Sequence, residues 1–181
     1  MKLDRREFGK SIALAMAGLA LSSARLSAKT YLTIDQAKQV LWGDMPMEQV
    51  AVTLTSVQAD AIEDSSDTNV RNEKLNVWKT QDGGWFIVDQ VIGKHENIDI
   101  AVALTSQGKV KGLEILTYRE TYGFEIENAA WRAQFYGKDA SEHLELDEQI
   151  QNISGATLSS RHITDGINRL THTWMHVLKT L

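Results

Sequence analysis

Ten residues around the start of the predicted C-terminal helix carry the side chains that a phosphate site requires. They run from Asn152 to Arg161, NISGATLSSR. Gly155 and Ala156 allow a ligand to approach the backbone, and a helix start adds free N–H groups and the positive end of its dipole. Hydroxyl groups come from Thr157, Ser159 and Ser160. The same composition also suits an ordinary helix N-cap, so composition alone leaves both interpretations open.

The five histidines and one acidic run are the other groups that could do chemistry. His172 and His176 lie four residues apart on the predicted helix, but no Glu-containing zinc motif surrounds them. No histidine lies near a Gly-flanked serine or cysteine of the hydrolase kind. The acidic residues around His143 are typical of a solvated face or of a docking surface for a basic partner. We therefore predict no catalytic residues of this kind and no metal site.

Hydrophobic periodicity predicts the sheet that positions the phosphate-like segment. Strand patterns at 75–79 and 85–91 flank a Gln-Asp-Gly-Gly turn, which favours a tight antiparallel hairpin. Strict alternation continues at 98–104 and again from 110 to about 117. These patterns predict a twisted antiparallel sheet.

Helices are predicted on both sides of these strands. Capping-box spacing at Thr33/Gln36 predicts a helix over 34–42, and the spacing at Thr55/Gln58 predicts a second one, followed by a polar loop over 63–73. Apolar stripes predict a helix over 128–136 and a long C-terminal helix over 158–178. The fold class is thus α+β, with flanking helices. The boundaries expected are a signal segment 1–28, an N-terminal helical part 29–74 and a cofactor-binding domain 75–181.

Length, charge and cysteine content restrict the function classes. The 181 residues suffice for one full-sized domain, and the net charge of -5, without a basic stripe, argues against a nucleic-acid partner. The chain has no cysteine, which excludes disulfides and thiolate chemistry. Any redox chemistry must therefore come from a bound cofactor.

The first 28 residues have the composition of an export signal. A charged stretch with Arg5-Arg6 precedes the weakly apolar Ser11–Leu21, and cleavage sites follow at Ala24 and Ala28. The segment 4–10, DRREFGK, is similar to a twin-arginine signal, the alternative being an ordinary signal that contains two arginines. The apolar stretch is shorter than the roughly 20 residues that span a bilayer. We expect a periplasmic protein, or a membrane-tethered one if the signal stays uncleaved.

Ser154-Gly155-Ala156-Thr157 resembles the flavinylation motif of the FMN-binding domain family, which includes the C subunit of the sodium-pumping NADH:quinone oxidoreductase and the G subunit of the Rnf complex. The resemblance extends upstream to 93–110, to Glu120-Thr121-Tyr122-Gly123 and to the segment around Trp131. It implies that a flavin transferase, using FAD as donor, joins FMN to Thr157 by a phosphoester. Glu120, Thr121 and Gly123 are then expected beside the flavin.

The chain departs from the family pattern at two positions. Gln151 stands where the family commonly has aspartate, and Tyr122 stands where it usually has proline. The glutamine bears on recognition by the transferase. The tyrosine places an aromatic ring in the loop 120–123, which is expected beside the flavin.

Three functions are compatible with such a chain. The resemblance favours an electron relay between membrane or periplasmic redox partners, because a relay needs a positioned, partly exposed flavin and no acid–base pair. The alternative is a small flavin-dependent reductase, which would need titratable groups converging on the flavin. A flavin-free assembly module is disfavoured by the intact Thr157.

Overall fold

A computed structural model describes residues 28–181 as one six-stranded antiparallel sheet with helices on both faces. Along the sheet the strands follow the order β1-β6-β5-β4-β3-β2. The strands are β1 Lys29–Thr30, β2 Met47–Thr53, β3 Lys74–Thr80, β4 Trp85–Ile92, β5 Asn97–Leu104 and β6 Val110–Tyr118. The α-helices are α1 Ile34–Trp42, α2 Ser56–Ser66, α3 Ala129–Arg132 and α4 Thr157–His176. Short 3₁₀ turns cover Phe124–Glu127, Ala133–Phe135 and Leu178–Thr180.

The four central strands confirm the predicted hairpins. The β3–β4 pair closes through a turn in which Gly83 has φ +84°, a conformation that glycine adopts without strain. Strands β4 and β5 pair over their whole length, with Ile87 opposite Val102. Antiparallel pairing and the α+β class are as predicted.

Alternation along β5 divides the core between two helical layers. Ile98, Ile100 and Val102 are buried in the cluster that contains Ile163 and Ile167 of α4. The intervening Ala101 and Ala103 face the other side, in the cluster that contains Leu41 of α1. Because α4 lies across the larger cluster, the position of its first turn is fixed by the core.

Both capping boxes are present, and they begin α1 and α2 at the predicted places. Helix α2 continues to Ser66, so the predicted loop over 63–73 starts too early at its N-terminal end. The helix predicted over 128–136 is instead the four-residue α3 followed by a 3₁₀ turn. Its Asn128 cap and the Trp131–Phe135 pair, with ring centroids 5.3 Å apart, are local features that do not need a longer helix.

Only helices were expected in 29–74, but this region also contributes β1 and β2 to the sheet. Strand β2 lies at an edge of the sheet, and its polar side chains Glu48 and Gln49 are exposed. Because an edge strand can carry polar residues, its sequence lacks the strong apolar alternation that predicts a strand. The proposed signal segment lies almost wholly outside the described residues. Within residues 28–181, no helix combines the length and hydrophobicity needed to cross a bilayer.

Candidate functional site

Helix α4 begins without a side-chain cap. Ala156 is the cap residue and has no polar side chain, and Gly155, at φ +87°, turns the chain into the helix. The N–H groups of Thr157, Leu158 and Ser159 donate hydrogen bonds to no residue within 28–181. A helix start of this kind keeps its positive dipole end and three free donors for an anion.

Thr157 is the first residue of α4 and is half-buried. Its hydroxyl forms no hydrogen bond with any described residue, whereas its neighbours Ser154 and Gly155 are exposed. A free hydroxyl beside three unpaired N–H groups is a donor set that fits a phosphate group. This arrangement agrees with the phosphate interpretation of the sequence.

Ser159 and Ser160 have their hydroxyls turned into the protein. Ser160 is fully buried, and its Oγ donates to the carbonyl oxygen of Ala156 at 3.0 Å. The Oγ of Ser159 lies 3.1 Å from the hydroxyl of Tyr118. Both side chains are thus engaged in internal contacts, unlike Thr157, although all three were expected at the same site.

Glu120 begins the predicted flavin loop and holds a neighbouring turn. Its Oε1 accepts hydrogen bonds from the backbone N–H groups of His95 at 2.5 Å and Glu96 at 3.0 Å. Burial alone would raise the pKa of Glu120, but these N–H groups, together with that of Lys94, lower it below its ordinary value. The carboxylate therefore stays charged and orders the turn, while Thr121 beside it is exposed.

Gly123 brings this loop against the start of α4. Its φ is +88°, and a Cβ at this position would lie 2.6 Å from the Tyr118 hydroxyl and 3.1 Å from the Cβ of Ala156. The Tyr118 hydroxyl also donates to the carbonyl oxygen of Tyr122 at 2.5 Å. The two motifs, which lie far apart in sequence, are therefore in direct contact.

Large apolar side chains are exposed around this contact. Tyr122 is 79% exposed, Phe124 51% and Leu158 42%. They belong to the loop, to the turn that follows it and to the first turn of α4. Tyr122 was singled out from the sequence, but Phe124 and Leu158 were not; their closeness to the two motifs was the available signal.

The segment that leads into the motif is held through its backbone. The indole N–H of Trp131 donates to the carbonyl oxygen of Gln151 at 2.7 Å, and the N–H of Gln151 donates to Gln134 Oε1 at 2.8 Å. A cavity of about 320 Å³ lies between Asn128, Ala130 and these three residues. The side chain of Gln151, at the position of the usual aspartate, is exposed.

The histidine pair on α4 lies away from the motif. His172 and His176 stack with ring centroids 6.2 Å apart. Burial lowers the pKa of His172, and the nearby His176 and His143 lower it further. Among residues 28–181, no group of three or more potential ligands could hold a metal ion.

A cleft of about 600 Å³ in the described part of the chain lies away from this site. It opens where β3 and β4 separate beyond the Asn76–Val88 pair, beside the 2.5 Å ion pair of Arg169 and Asp89. None of the predicted site residues lines it. The candidate site is instead the contact between the loop 120–123 and the start of α4.

A solved structure shares this fold. The C subunit of the Na(+)-translocating NADH-quinone reductase from Parabacteroides distasonis superposes with a TM-score of 0.52, over 83% of this chain and 87% of that one, at 12% identity. At this level of identity the likeness shows a common fold, which places the chain among proteins built on this sheet and its long C-terminal helix.

Sequence comparison identifies the domain. Residues 93–172 match the model of the FMN-binding domain family, and this stretch includes both the loop and the motif. The chain therefore contains an FMN-binding domain of that family, which confirms the predicted resemblance. The G subunit of the Na(+)-translocating ferredoxin:NAD(+) oxidoreductase complex from Acetobacterium woodii is 28% identical over 91 residues. This match covers 45% of the chain and 44% of that relative, so the chain spans less than half of its length.

Proposed function

We propose that this protein is an electron-transfer flavoprotein with one FMN bound covalently, by a phosphoester to Thr157. The observation that carries the proposal is the free Thr157 hydroxyl at the uncapped start of α4. A phosphodiester there keeps about one negative charge, which the helix end stabilises by roughly 0.3–1 kcal/mol. The unpaired N–H groups of the first turn would hold the remaining phosphate oxygens.

Access to the hydroxyl supports attachment by a separate enzyme. Ser154 and Gly155 are exposed, and no side chain would contact a Cβ at Gly155 within 4 Å. A flavin transferase with FAD as donor can therefore approach this segment from solvent. The backbone hydrogen bonds at Gln151 support a fixed presentation of the segment to that enzyme.

The exposed side chains of the loop would hold the flavin ring. Tyr122, Phe124 and Leu158 offer apolar surface to a planar ligand, and the Thr121 hydroxyl offers a hydrogen bond to its polar edge. Bound FMN supplies one- or two-electron redox chemistry. Because these residues form an open surface, the ring would remain exposed on one side, which suits exchange with a protein partner.

The loop residues favour a relay over the alternative reductase. A reductase needs an acid or base that faces the substrate, yet the Glu120 carboxylate is occupied by backbone N–H groups. The two relatives are named as subunits of a Na(+)-translocating NADH-quinone reductase and of a Na(+)-translocating ferredoxin:NAD(+) oxidoreductase complex. We infer that this chain likewise exchanges electrons with membrane or periplasmic redox proteins.

Mass spectrometry of the denatured protein tests the covalent bond. The chain is co-produced with a competent flavin transferase, and wild type should carry the mass of one FMN phosphoester. Thr157→Ala should lose this mass, and Thr157→Ser should keep part of it. Ser160→Ala is the matched control, because it removes a neighbouring hydroxyl that is already bonded internally. Unmodified wild type, or full labelling of Thr157→Ala, would reject the assignment.

Fractionation tests the proposed export. Arg5 and Arg6 are both replaced by lysine, which keeps the charge but removes the pair that the twin-arginine route needs. The variant should accumulate as precursor in the cytoplasm, while wild type reaches the periplasm. Normal export of the Lys-Lys variant would contradict the route.

A further inference from the structure

One phenol hydroxyl joins three segments of the candidate site. Tyr118 ends β6 and is 3% exposed. Its single proton goes to the carbonyl oxygen of Tyr122 at 2.5 Å, because a carbonyl can only accept. The Ser159 hydroxyl, 3.1 Å away, must therefore donate to the phenol oxygen. A strand end, the loop and the first turn of α4 meet at this atom.

We propose that Tyr118 is a positioning residue for the flavin, whose hydroxyl fixes the loop against α4 and so sets where the ring lies. The inference rests on the proposed function, since it concerns FMN attached at Thr157. It assigns a role to a residue outside both motifs. Its hydroxyl forms hydrogen bonds with the Tyr122 carbonyl oxygen and the Ser159 hydroxyl, and with no other group among the described residues.

Helix geometry explains why the contact does not compete with the attachment. Ser159 follows Thr157 by two residues, or about 200° around the helix, so the two side chains leave α4 on opposite sides. Tyr118 therefore contacts the side of α4 opposite Thr157, whose hydroxyl keeps no hydrogen-bond partner among residues 28–181. Burial raises the pKa of Tyr118, the hydrogen bond with Ser159 partly opposes this rise, and the nearby Glu120 and Glu125 add to it, so the phenol stays protonated as a donor.

The loop has few other connections of this kind. Among the described residues, Tyr118 is the only one whose side chain forms a hydrogen bond with residues 121–123. Gly123 packs against the same hydroxyl, so a displacement of the phenol would release both backbone positions. Two ordinary hydrogen bonds correspond to roughly thirtyfold in the opening equilibrium.

The test compares Tyr118→Phe with Tyr136→Phe. Tyr136 is 43% exposed and its hydroxyl makes no hydrogen bond within residues 28–181, so the control removes the same atom without a contact. In the covalently loaded protein, Tyr118→Phe should keep the full flavin mass. Its midpoint potential should shift, and its flavin fluorescence anisotropy should fall, whereas the control should match wild type. A wild-type potential and anisotropy in Tyr118→Phe would overturn the positioning role.

Hydrogen exchange on the flavin-free protein separates the two proposals. The amides of Ile126 and Ser160, which donate to the carbonyl oxygens of Gly123 and Ala156, should exchange about thirtyfold faster in Tyr118→Phe than in the control. Unchanged exchange would overturn the inference whatever the flavin result. If wild type takes up no flavin, the proposed function and the positioning role both fail, while the exchange rates still decide whether the phenol fixes the loop. Should Tyr118→Phe fail to fold, Ser159→Ala removes one of the two hydrogen bonds, and faster exchange of the Ser160 amide, which donates to the carbonyl oxygen of Ala156, is then expected. Wild-type exchange in Ser159→Ala would count against the inference.

Discussion

Gly123→Ala tests the contact between the loop and α4 most directly. Gly123 has φ +88°, and the added methyl carbon would lie 2.6 Å from the Tyr118 hydroxyl. The same methyl carbon would lie 3.1 Å from the Cβ of Ala156, on the other side. The substitution therefore introduces backbone strain and a steric clash at the point where the two motifs meet.

The expected cost follows from these two effects. An L-residue in the left-handed region loses roughly 1–2 kcal/mol. Overpacking of a close contact adds about 1–3 kcal/mol. Gly137 has φ +81°, and a Cβ there would meet nothing within 4 Å, so Gly137→Ala introduces only the first effect. We expect Gly123→Ala to be less stable than Gly137→Ala by about 1–3 kcal/mol.

Urea unfolding of the two variants measures this difference, and thermal unfolding should show it as roughly 2–4 °C per kcal/mol. On loaded protein, Gly123→Ala should also shift the flavin absorption spectrum, because the loop must move away from α4. Equal stabilities of the two variants would refute the packing argument. An altered stability with an unchanged spectrum would place the loop away from the ring.

Three further predictions address other parts of the domain. Arg132 is buried and forms a 2.8 Å ion pair with Glu114, so Arg132→Met should cost about 3–5 kcal/mol in urea unfolding, and adding Glu114→Gln should recover part of it. Because the folded pKa of Glu120 is lowered from its ordinary 4.5, its contribution to stability is complete above that pH and is lost as pH falls through the folded pKa. The stability difference between wild type and Glu120→Gln, measured across this range, should vanish in acid. Gln151→Asp, which restores the usual residue of the family, should raise the fraction of chains that carry flavin mass under limiting transferase.

The central strands were predictable because their signals are local. Alternation in β5 and the Asp-Gly-Gly turn after β3 each determine structure within about ten residues. The same holds for the capping boxes, which fix the start of α1 and α2. In contrast, β1 consists of two exposed residues that pair with Thr117 and Tyr118, and nothing in its own sequence requires a strand. Its formation depends on the edge that β6 presents.

The candidate site was predictable in its motifs but not in its internal contacts. Thr157 and Gly123 were recognised from short segments, whereas the meeting of Gly123 with Ala156 depends on how α4 crosses the sheet. The role of Tyr118 also arises only in the folded chain. A buried tyrosine at a strand end is ordinary in sequence, and its partners are a loop carbonyl and a serine 41 residues away.

The inward direction of the two serine hydroxyls could have been predicted from helical spacing, and the same spacing explains why Thr157 differs from its neighbours. Ser160 lies three residues before Ile163 and seven before Ile167, so the apolar stripe of α4 already assigns it to the buried face. Ser159 lies four residues before Ile163 and belongs to the same face. Thr157 lies six residues before Ile163 and about 200° around the helix from Ser159, so it stands at the border of that face and is only half-buried. The packing that engages the two serine hydroxyls therefore leaves the threonine hydroxyl free, beside the unpaired N–H groups of the same turn.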